Sequence, residues 1–155
     1  MDLNPDARRL AGPDVTLIEQ DCSQPWDLDP GSLDAVFTSN FFEHLPDKGA
    51  LERTLQHVMQ ALRKGGSIVM IGPNIKYVPG AYWDFFDHFI PLTELSLAEA
   101  LKKRGFSVEV CVDRFLPYSM SQGRTYPIWM LRLYLSLPTL WPFFGKQFLI
   151  VARKV

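Results

Sequence analysis

Neither sign of charge is in excess in this chain of 155 residues, which has 16 Lys and Arg against 17 Asp and Glu and a formal net charge of -1. Without a positive field to attract phosphates, a nucleic-acid-binding protein is not expected. Cysteine is scarce too: Cys22 and Cys111 stand far apart, with no C-x-x-C spacing. A disulfide scaffold and a structural zinc site are therefore both unexpected, and a reducing compartment is the default.

Long apolar runs are also missing. No uninterrupted stretch of 18 apolar residues occurs, and the first 20 residues contain acids and prolines in place of the apolar region of a signal peptide. We therefore expect a cytoplasmic protein. What is present, 47% apolar and 21% charged residues, is typical of a globular chain, and residues 1–155 are expected to form a single domain.

Three short apolar segments bounded by Pro, Gly and Asp predict β-strands. They are Val15–Glu19, Ala35–Ser39 and Ser67–Ile71. The second and third are almost continuously apolar, which is typical of strands buried on both faces of a parallel sheet.

The strongest helix signal lies between the second and third of these strands, over Asp47–Lys64. Its apolar residues recur with helical spacing and form one stripe: Leu51, Leu55, Val58, Met59 and Leu62. The cations of Arg63-Lys64 suit the last turn of a helix, and Gly65-Gly66 is expected to end it. A strand, a helix and a strand in this order predict a βαβ unit.

Further along the chain, a second helix is predicted over Leu97–Arg104, with a capping box that begins at Ser96 and with Thr93 as a competing start. The strands Phe106–Val112 and Gln147–Ala152 follow, and we expect them to pair antiparallel at one edge. The alternation of elements predicts an α/β fold whose sheet is mainly parallel and has an antiparallel edge hairpin.

The segment from Tyr126 to Phe144 is rich in aromatic residues, and its three prolines exclude one long helix. We favour ordinary core beneath the last strand. The alternative is an exposed face at residues 126–144 that contacts a membrane interface or covers an apolar acceptor, since Trp and Arg suit such boundaries. Exposure would also favour a homodimer.

The residues that follow each of the first three predicted strands include polar side chains. They are Asp21 and Cys22 after the first; Asn40, Phe41, Glu43 and His44 after the second; and Gly72, Pro73 and Asn74 after the third. Ligands of open α/β sheets bind beyond the carboxyl ends of the strands, so these groups predict a site for a nucleoside. The alternative is that they cap helices and turns, as Asp21 alone would often do.

Taken together, these segments resemble the class I S-adenosylmethionine-dependent methyltransferases, whose sheet is Rossmann-like. The matching stretches are Asp2-Leu-Asn-Pro5, Ile18-Glu-Gln-Asp21-Cys22, Gly31-Ser-Leu-Asp-Ala-Val-Phe37, Asn40-Phe-Phe-Glu-His-Leu45 and Leu62-Arg-Lys-Gly-Gly-Ser-Ile-Val69. The resemblance implies that Asp2 binds the ribose hydroxyls of S-adenosylmethionine. It also implies that Asp21 and Cys22 border the adenine and that Asn40 and Phe41 lie near the methionine end.

One part of the family pattern has no counterpart in these residues. The family's glycine-rich cofactor turn comes about twenty residues before the position of Asp2. We therefore expect a truncated methyltransferase that lacks the first two family strands and whose binding of S-adenosylmethionine is impaired. If the chain folds alone, Val15–Glu19 is expected to pair with Ala35–Ser39, or a second copy to fill the gap.

Methyl transfer from a sulfonium requires an aligned acceptor and removal of its proton. Candidates for the base are His44, Asp84, Asp87 and His88, the last three on a connection that we expect to cover the acceptor. His88 is also open to interpretation as a hydrogen-bonded hinge. Asp84, Asp87 and His88 on one short segment, with no second cluster, do not make a metal site, so no metal is expected.

The acceptor itself is not encoded in a recognisable motif, and a small molecule or a lipid-linked group is the default expectation. An alternative function is a non-catalytic remnant of the methyltransferase fold that acts through oligomerisation or partner binding. A dinucleotide-dependent oxidoreductase would need G-x-G-x-x-G after a strand, and no such sequence occurs in the chain.

Overall fold

A computed structural model of the chain describes residue 1, residues 7–10, residues 12–118 and residues 127–155. Its four strands, β1 Leu33–Ser39, β2 Leu62–Pro73, β3 Phe106–Val112 and β4 Gln147–Lys154, form one sheet in the order β1-β2-β4-β3. β1 is parallel to β2, and β4 is antiparallel to both β2 and β3. Three strands therefore run in one direction, and the predicted α/β fold with an antiparallel edge hairpin is confirmed.

Five helices and three short 3-10 turns accompany the sheet in the described ranges. The helices are α1 Ala7–Leu10, α2 Lys48–Ala61, α3 Glu94–Lys103, α4 Ile128–Leu135 and α5 Trp141–Phe144, and the 3-10 turns are Phe42–His44, Ala81–Asp84 and Pro138–Leu140. Within this part of the chain, none of the helices is both long enough and apolar enough to cross a bilayer.

Helix α2 begins where predicted and ends earlier. The Asp47 side chain accepts a hydrogen bond from the Ala50 N–H at 2.7 Å, which caps the first turn. The predicted end at Lys64 is wrong, because the backbone is already extended at Leu62, which pairs with Leu33 and is fully buried. Gly65, with φ at 76°, lies inside β2 where its register with β1 is irregular, and it does not end the helix.

Helix α3 begins three residues before the predicted start. Thr93, the competing start, is its N-cap: the Ser96 N–H donates to Thr93 Oγ1 at 3.1 Å, and the Thr93 N–H donates to Ser96 Oγ at 3.0 Å. This reciprocal pair satisfies two backbone donors that the helix would otherwise leave free.

The core lies between α2, α3 and one face of the sheet. Met70 of β2 is directly opposite Ile150 of β4, and Gly72 is opposite Phe148. Gly72 leaves room for the Phe148 ring, which would lie 2.8 Å from a Cβ at that position. The other face is partly open, with Phe37 66% exposed, so the prediction that the second and third strands are buried on both faces is wrong within the described part.

The predicted strand Val15–Glu19 does not form. Among the described residues β1 pairs only with β2, and a cavity, not a backbone ladder, separates Ile18 and Gln20 from β1. The expected pairing of Val15–Glu19 with Ala35–Ser39 is therefore wrong. A strand needs a neighbouring backbone for its hydrogen bonds, and here the segment has none from β1.

The aromatic segment from residue 127 onward is exposed, and the favoured interpretation as core is wrong; Tyr126 lies outside the described residues. Trp129 is 65% exposed and Phe143 79% exposed. As predicted, the described part of the segment does not form one long helix; it contains α4, a 3-10 turn and α5. It is held by the Tyr134 hydroxyl, which donates to the Phe115 carbonyl oxygen at 2.6 Å, and by the Trp141 ring edge-on to Phe115.

The packing of α3 predicts a sharp contrast between two of its leucines. Leu97 is fully buried and Leu95 is 63% exposed. Leu97→Ala should lower the free energy of unfolding by about 2–5 kcal/mol, because it leaves a cavity in the core. Leu95→Ala, the matched control, should change it by less than about 0.5 kcal/mol in urea unfolding followed by circular dichroism. Equal effects of the two changes would contradict this packing.

Candidate functional site

A cavity of about 820 Å³ opens beside β1 and at its carboxyl end. The loop before β1 forms one wall, β1 itself and the turn after it form the floor, and Thr54 and Val58 of α2 close one side. Its size is in the range of cavities that hold small-molecule ligands. The hydroxyl of Thr38, which lines the cavity, is buried and has no hydrogen-bond partner in the described ranges, so a ligand could supply one.

Four of the five predicted cofactor-binding residues line this cavity: Asp21, Cys22, Asn40 and Phe41. The fifth, Asp2, lies outside the residues that the structure describes. The fold thus brings two segments together at one site, although no bound ligand tests the role of each residue. Those roles stay predictions.

The loop that carries Asp21 is fixed by local hydrogen bonds. Asp21 Oδ1 accepts from the Ser23 N–H at 2.8 Å, and this bond holds the pKa of the Asp21 carboxyl below its usual value. The Trp26 Nε1–H donates to the Cys22 carbonyl oxygen at 2.9 Å, and His57 Nδ1 of α2 lies 3.2 Å from the same oxygen. These two contacts to the Cys22 carbonyl oxygen join the loop to α2.

Asn40 turns the chain away from the sheet. Its φ of 47° is in the left-handed region, which Asn tolerates better than most residues. Its N–H donates to the Ile71 carbonyl oxygen at 2.9 Å and so extends the pairing of β1 with β2. The backbone then enters the 3-10 turn Phe42–His44.

The backbone of Glu43 ties that turn to the long connection after β2. Its carbonyl oxygen accepts from the Phe89 N–H at 2.8 Å and from the Ile90 N–H at 3.2 Å. The connection is fixed in turn by the buried hydroxyl of Tyr82, which donates to the Ile90 carbonyl oxygen. Residues 42–44 and 82–90 therefore form one rigid unit.

Ionisable side chains from both segments meet inside this unit. The ring centroids of His44 and His88 are 4.8 Å apart, and Phe85 stacks on His88 at 4.9 Å. His44 Nδ1 lies 3.0 Å from the carbonyl oxygen of Asp87 and 3.1 Å from its Oδ2. His44 Nε2 lies 3.9 Å from Glu43 Oε1.

Burial sets the charge behaviour of this cluster. It raises the pKa of the Glu43 carboxyl to about 7, against the opposing pull of the His44 charge. It also lowers the pKa of the His88 imidazole, and nearby His44 lowers it further. Burial thus shifts both Glu43 and His88 toward their neutral forms.

Three of the four predicted catalytic residues come together: His44, Asp87 and His88. His44 and Asp87 line the cavity, whereas His88 lies behind them. Asp84 is exposed at the end of the turn Ala81–Asp84 and is not among the residues that line the cavity. The sequence interpretation treated Glu43 only as a polar residue at a strand end, although its position between Phe42 and His44 in an apolar stretch was a signal of burial.

Removal of the Tyr82 hydroxyl tests how much its buried hydrogen bond stabilises the rigid unit. Tyr82→Phe leaves the Ile90 carbonyl oxygen buried without this donor, so the free energy of unfolding should fall by about 1–3 kcal/mol in chemical denaturation. Tyr77→Phe removes a hydroxyl whose bond to Asp113 is exposed, and a much smaller change is expected. A Tyr82→Phe protein as stable as the Tyr77→Phe protein would show that the buried bond is unimportant.

Residues 1–70 match the model of the methyltransferase domain family. No curated protein matches the chain at a significant level. Among solved structures, the chain is similar to a SAM-dependent methyltransferase from Archaeoglobus fulgidus at 20% identity and a TM-score of 0.71, over 99% of this chain and 74% of that one.

Two further structures show the same relationship. A SAM-dependent methyltransferase from Methanosarcina mazei has 17% identity and a TM-score of 0.64, over 99% of this chain and 80% of that one. An S-adenosylmethionine-dependent methyltransferase from Mesorhizobium loti has 22% identity and a TM-score of 0.63, over 99% and 78%. The cofactor that the family match and these neighbours support is S-adenosylmethionine.

The sequence resemblance, the domain match and the shared sheet agree with one another. Residues 1–70 thus match the methyltransferase domain family, and the chain shares the fold of SAM-dependent methyltransferases over nearly all of its length, in agreement with the resemblance of its sequence to the class I family.

Proposed function

We propose that this chain binds S-adenosylmethionine in the cavity beside β1 and directs its methyl group to a small-molecule or lipid-linked acceptor. The proposal rests on one observation: the predicted cofactor-binding residues and two ionisable residues line the same cavity. The former are Asp21, Cys22, Asn40 and Phe41, and the latter are His44 and Asp87. A cofactor end and an acceptor end are thus available within one space.

The residues present fit such a cofactor. The loop at Asp21 and Cys22 would border the adenine, and Asn40 and Phe41 would lie near the methionine end. The buried Thr38 hydroxyl in the same cavity has no hydrogen-bond partner among the described residues, and a bound cofactor would supply one. When bound, S-adenosylmethionine supplies an activated methyl group on a sulfonium sulfur, so the protein has mainly to align an acceptor and accept a proton.

Asp87 is the residue best placed to accept that proton. Its carboxylate is largely exposed and lines the cavity, and it faces His44 Nδ1 at 3.1 Å. If Nδ1 carries the imidazole hydrogen, as its two oxygen neighbours favour, His44 donates to Asp87 and orients it. His44 is then a positioning residue, while His88 and Glu43 support it from behind.

Calorimetric titration with S-adenosylhomocysteine tests the cofactor site. We expect binding to the unaltered chain, and its affinity will show whether binding is impaired as the sequence predicted. Asp21→Ala and Phe41→Ala should each weaken it by about tenfold or more, which corresponds to about 1.4 kcal/mol. Asp34→Ala is the matched control, because Asp34 is an exposed acid at the opposite end of β1.

The outcomes separate the candidate functions. Absence of binding, or an equal loss in the Asp34→Ala protein, would contradict the cofactor site. It would favour the alternative of a non-catalytic protein that acts through oligomerisation or partner binding.

A second proposal concerns the exposed aromatic segment, residues 127–146, which we infer contacts an anionic membrane interface. The segment contains the cations Arg132 and Lys146 and no acidic residue. Trp and Phe side chains exposed beside cations are typical of surfaces that lie in the headgroup region of a bilayer. Phe115, which contacts Trp141 and Tyr134 of this segment, lies three residues before Tyr118, whose ring is 6.4 Å from that of Phe85. Phe85 stacks on His88, so a short stretch of chain links the proposed membrane face to the acceptor end.

Co-sedimentation with phosphatidylglycerol and phosphatidylcholine vesicles tests this contact. The chain should bind anionic vesicles, and the double change Trp129→Ser with Phe143→Ser should remove most of the binding. Leu95→Ser, an equally exposed apolar residue on α3, is the control and should bind as the unaltered chain does. Vesicle binding unaffected by the double change would contradict the proposal, and a dimer that the double change dissociates would show that a second copy covers the segment instead.

A further inference from the structure

We propose that Glu43, His44 and His88 form a binding site for a divalent transition-metal ion. A carboxylate oxygen and two imidazole nitrogens, one atom from each residue, lie within 4.8 Å of one another. The site belongs to the rigid unit behind the cavity wall, and its existence does not depend on the proposed methyl transfer.

Two polar atoms of these residues have no hydrogen-bond partner in the described part of the chain. Glu43 Oε1 and His88 Nδ1 are both buried and make no hydrogen bond within the described ranges. The Glu43 side chain is only 2% exposed, so water does not compensate for this loss. Buried acceptors without a donor are costly, and a cation between them would satisfy both.

The third residue, His44, has its Nε2 available on the side of Glu43. The two oxygens of Asp87 occupy the Nδ1 side of His44, at 3.0 and 3.1 Å. With the hydrogen on Nδ1, His44 Nε2 has a free lone pair and lies 3.9 Å from Glu43 Oε1. Ligand bonds of about 2.0–2.1 Å place neighbouring ligand atoms roughly 3.0–3.5 Å apart, so a small inward shift would bring both atoms to one ion.

Asp87 lies where it can fix the orientation of a metal-binding histidine. Histidines that bind metals commonly donate their second ring N–H to a carboxylate or carbonyl oxygen, which fixes the ring and its tautomer. His44 has both kinds of oxygen from Asp87 beside Nδ1. The contact between His44 Nδ1 and Asp87 therefore has two effects. It orients the Asp87 carboxylate at the cavity, and it directs His44 Nε2 toward the ion.

The fold removes the objection that the sequence raised against a metal. Asp84, Asp87 and His88 form one short segment, which is too little for a site, but the turn Phe42–His44 adds two ligands from a distant part of the chain. The two segments are fixed to each other by the Glu43 carbonyl oxygen and its bonds from Phe89 and Ile90. The ligands are thus held before any ion arrives.

The donor set indicates the class of ion. Two imidazoles and one carboxylate, with no thiolate, suit Zn²⁺, Fe²⁺, Co²⁺ or Mn²⁺ and differ from the all-oxygen sets of Ca²⁺ and Mg²⁺. Three protein ligands leave a coordination position open. Because His44 also lines the cavity, an ion bound here would lie beside the acceptor end of the proposed active site.

Titration of the full chain with Co²⁺, followed by visible absorption, is the direct test, with Zn²⁺ calorimetry beside it. We expect one ion per chain, and Glu43→Gln or His88→Gln should weaken binding by more than about tenfold. The chain has three histidines, so His57→Gln is the matched control and should retain full affinity. Zn²⁺ should also raise the melting temperature of the unaltered and His57→Gln proteins but not of the Glu43→Gln protein.

Several results would overturn the site. These are no stoichiometric binding, unchanged affinity after Glu43→Gln, loss of affinity after His57→Gln, or a thiolate charge-transfer band that places the ion at a cysteine. If the variants do not fold, X-ray absorption on the unaltered zinc-loaded chain decides the matter, since two imidazoles and no sulfur are expected. None of these measurements uses S-adenosylmethionine, so failure of the metal site and failure of the cofactor site are distinguishable.

Discussion

The pairing of β2 along both of its edges is the constraint on which the rest of the structure depends. β2 is hydrogen-bonded to β1 on one side and to β4 on the other, and the side chains of its buried face, Ile68 and Met70, are in the core with α2 and α3. Its position fixes the end of β1, and the end of β1 fixes Asn40 and the turn that follows. The cavity and the cluster of ionisable groups are therefore consequences of strand register.

A second level of organisation is electrostatic. Burial disfavours charge on Glu43 and on His88, yet in the described part of the chain Glu43 Oε1 and His88 Nδ1 have no hydrogen-bond partner. Proteins rarely retain such groups in a region that serves only for packing, since apolar residues would be more stable there. We interpret the cluster as a functional part of the fold. The loss of stability that it causes is offset by the packing of the surrounding core.

Much of this fold was accessible from the sequence, and the errors have physical causes. Strand β3 was predicted with its observed bounds because apolar and polar residues alternate there without Gly or Pro. The end of α2 was misplaced because Gly65-Gly66 was a stronger local signal than the tertiary pairing of Leu62 with Leu33. Val15–Glu19 has strand-like composition, but composition does not supply a neighbouring backbone.

For the site, residue types at strand ends predicted which groups would face one cavity, but not their environments. Glu43 and His44 are adjacent in sequence, and their separation from His88 by more than forty residues hid the cluster. The exposure of α4 was hidden for a similar reason, because an apolar helix has the same sequence pattern whether it is buried or lies at a surface.

Among the described residues, one side of β1 has no neighbouring strand, and this affects the solubility of the chain. Natural sheets protect their outer strands from edge-to-edge assembly with lysines, prolines or bulges. From Ala35 to Ser39, β1 has neither a charge nor a proline, and Phe37 projects into solvent beside the open ladder. The solubility of the chain at high concentration will therefore depend on what covers that edge. A ligand or partner bound there would also protect the strand from aggregation.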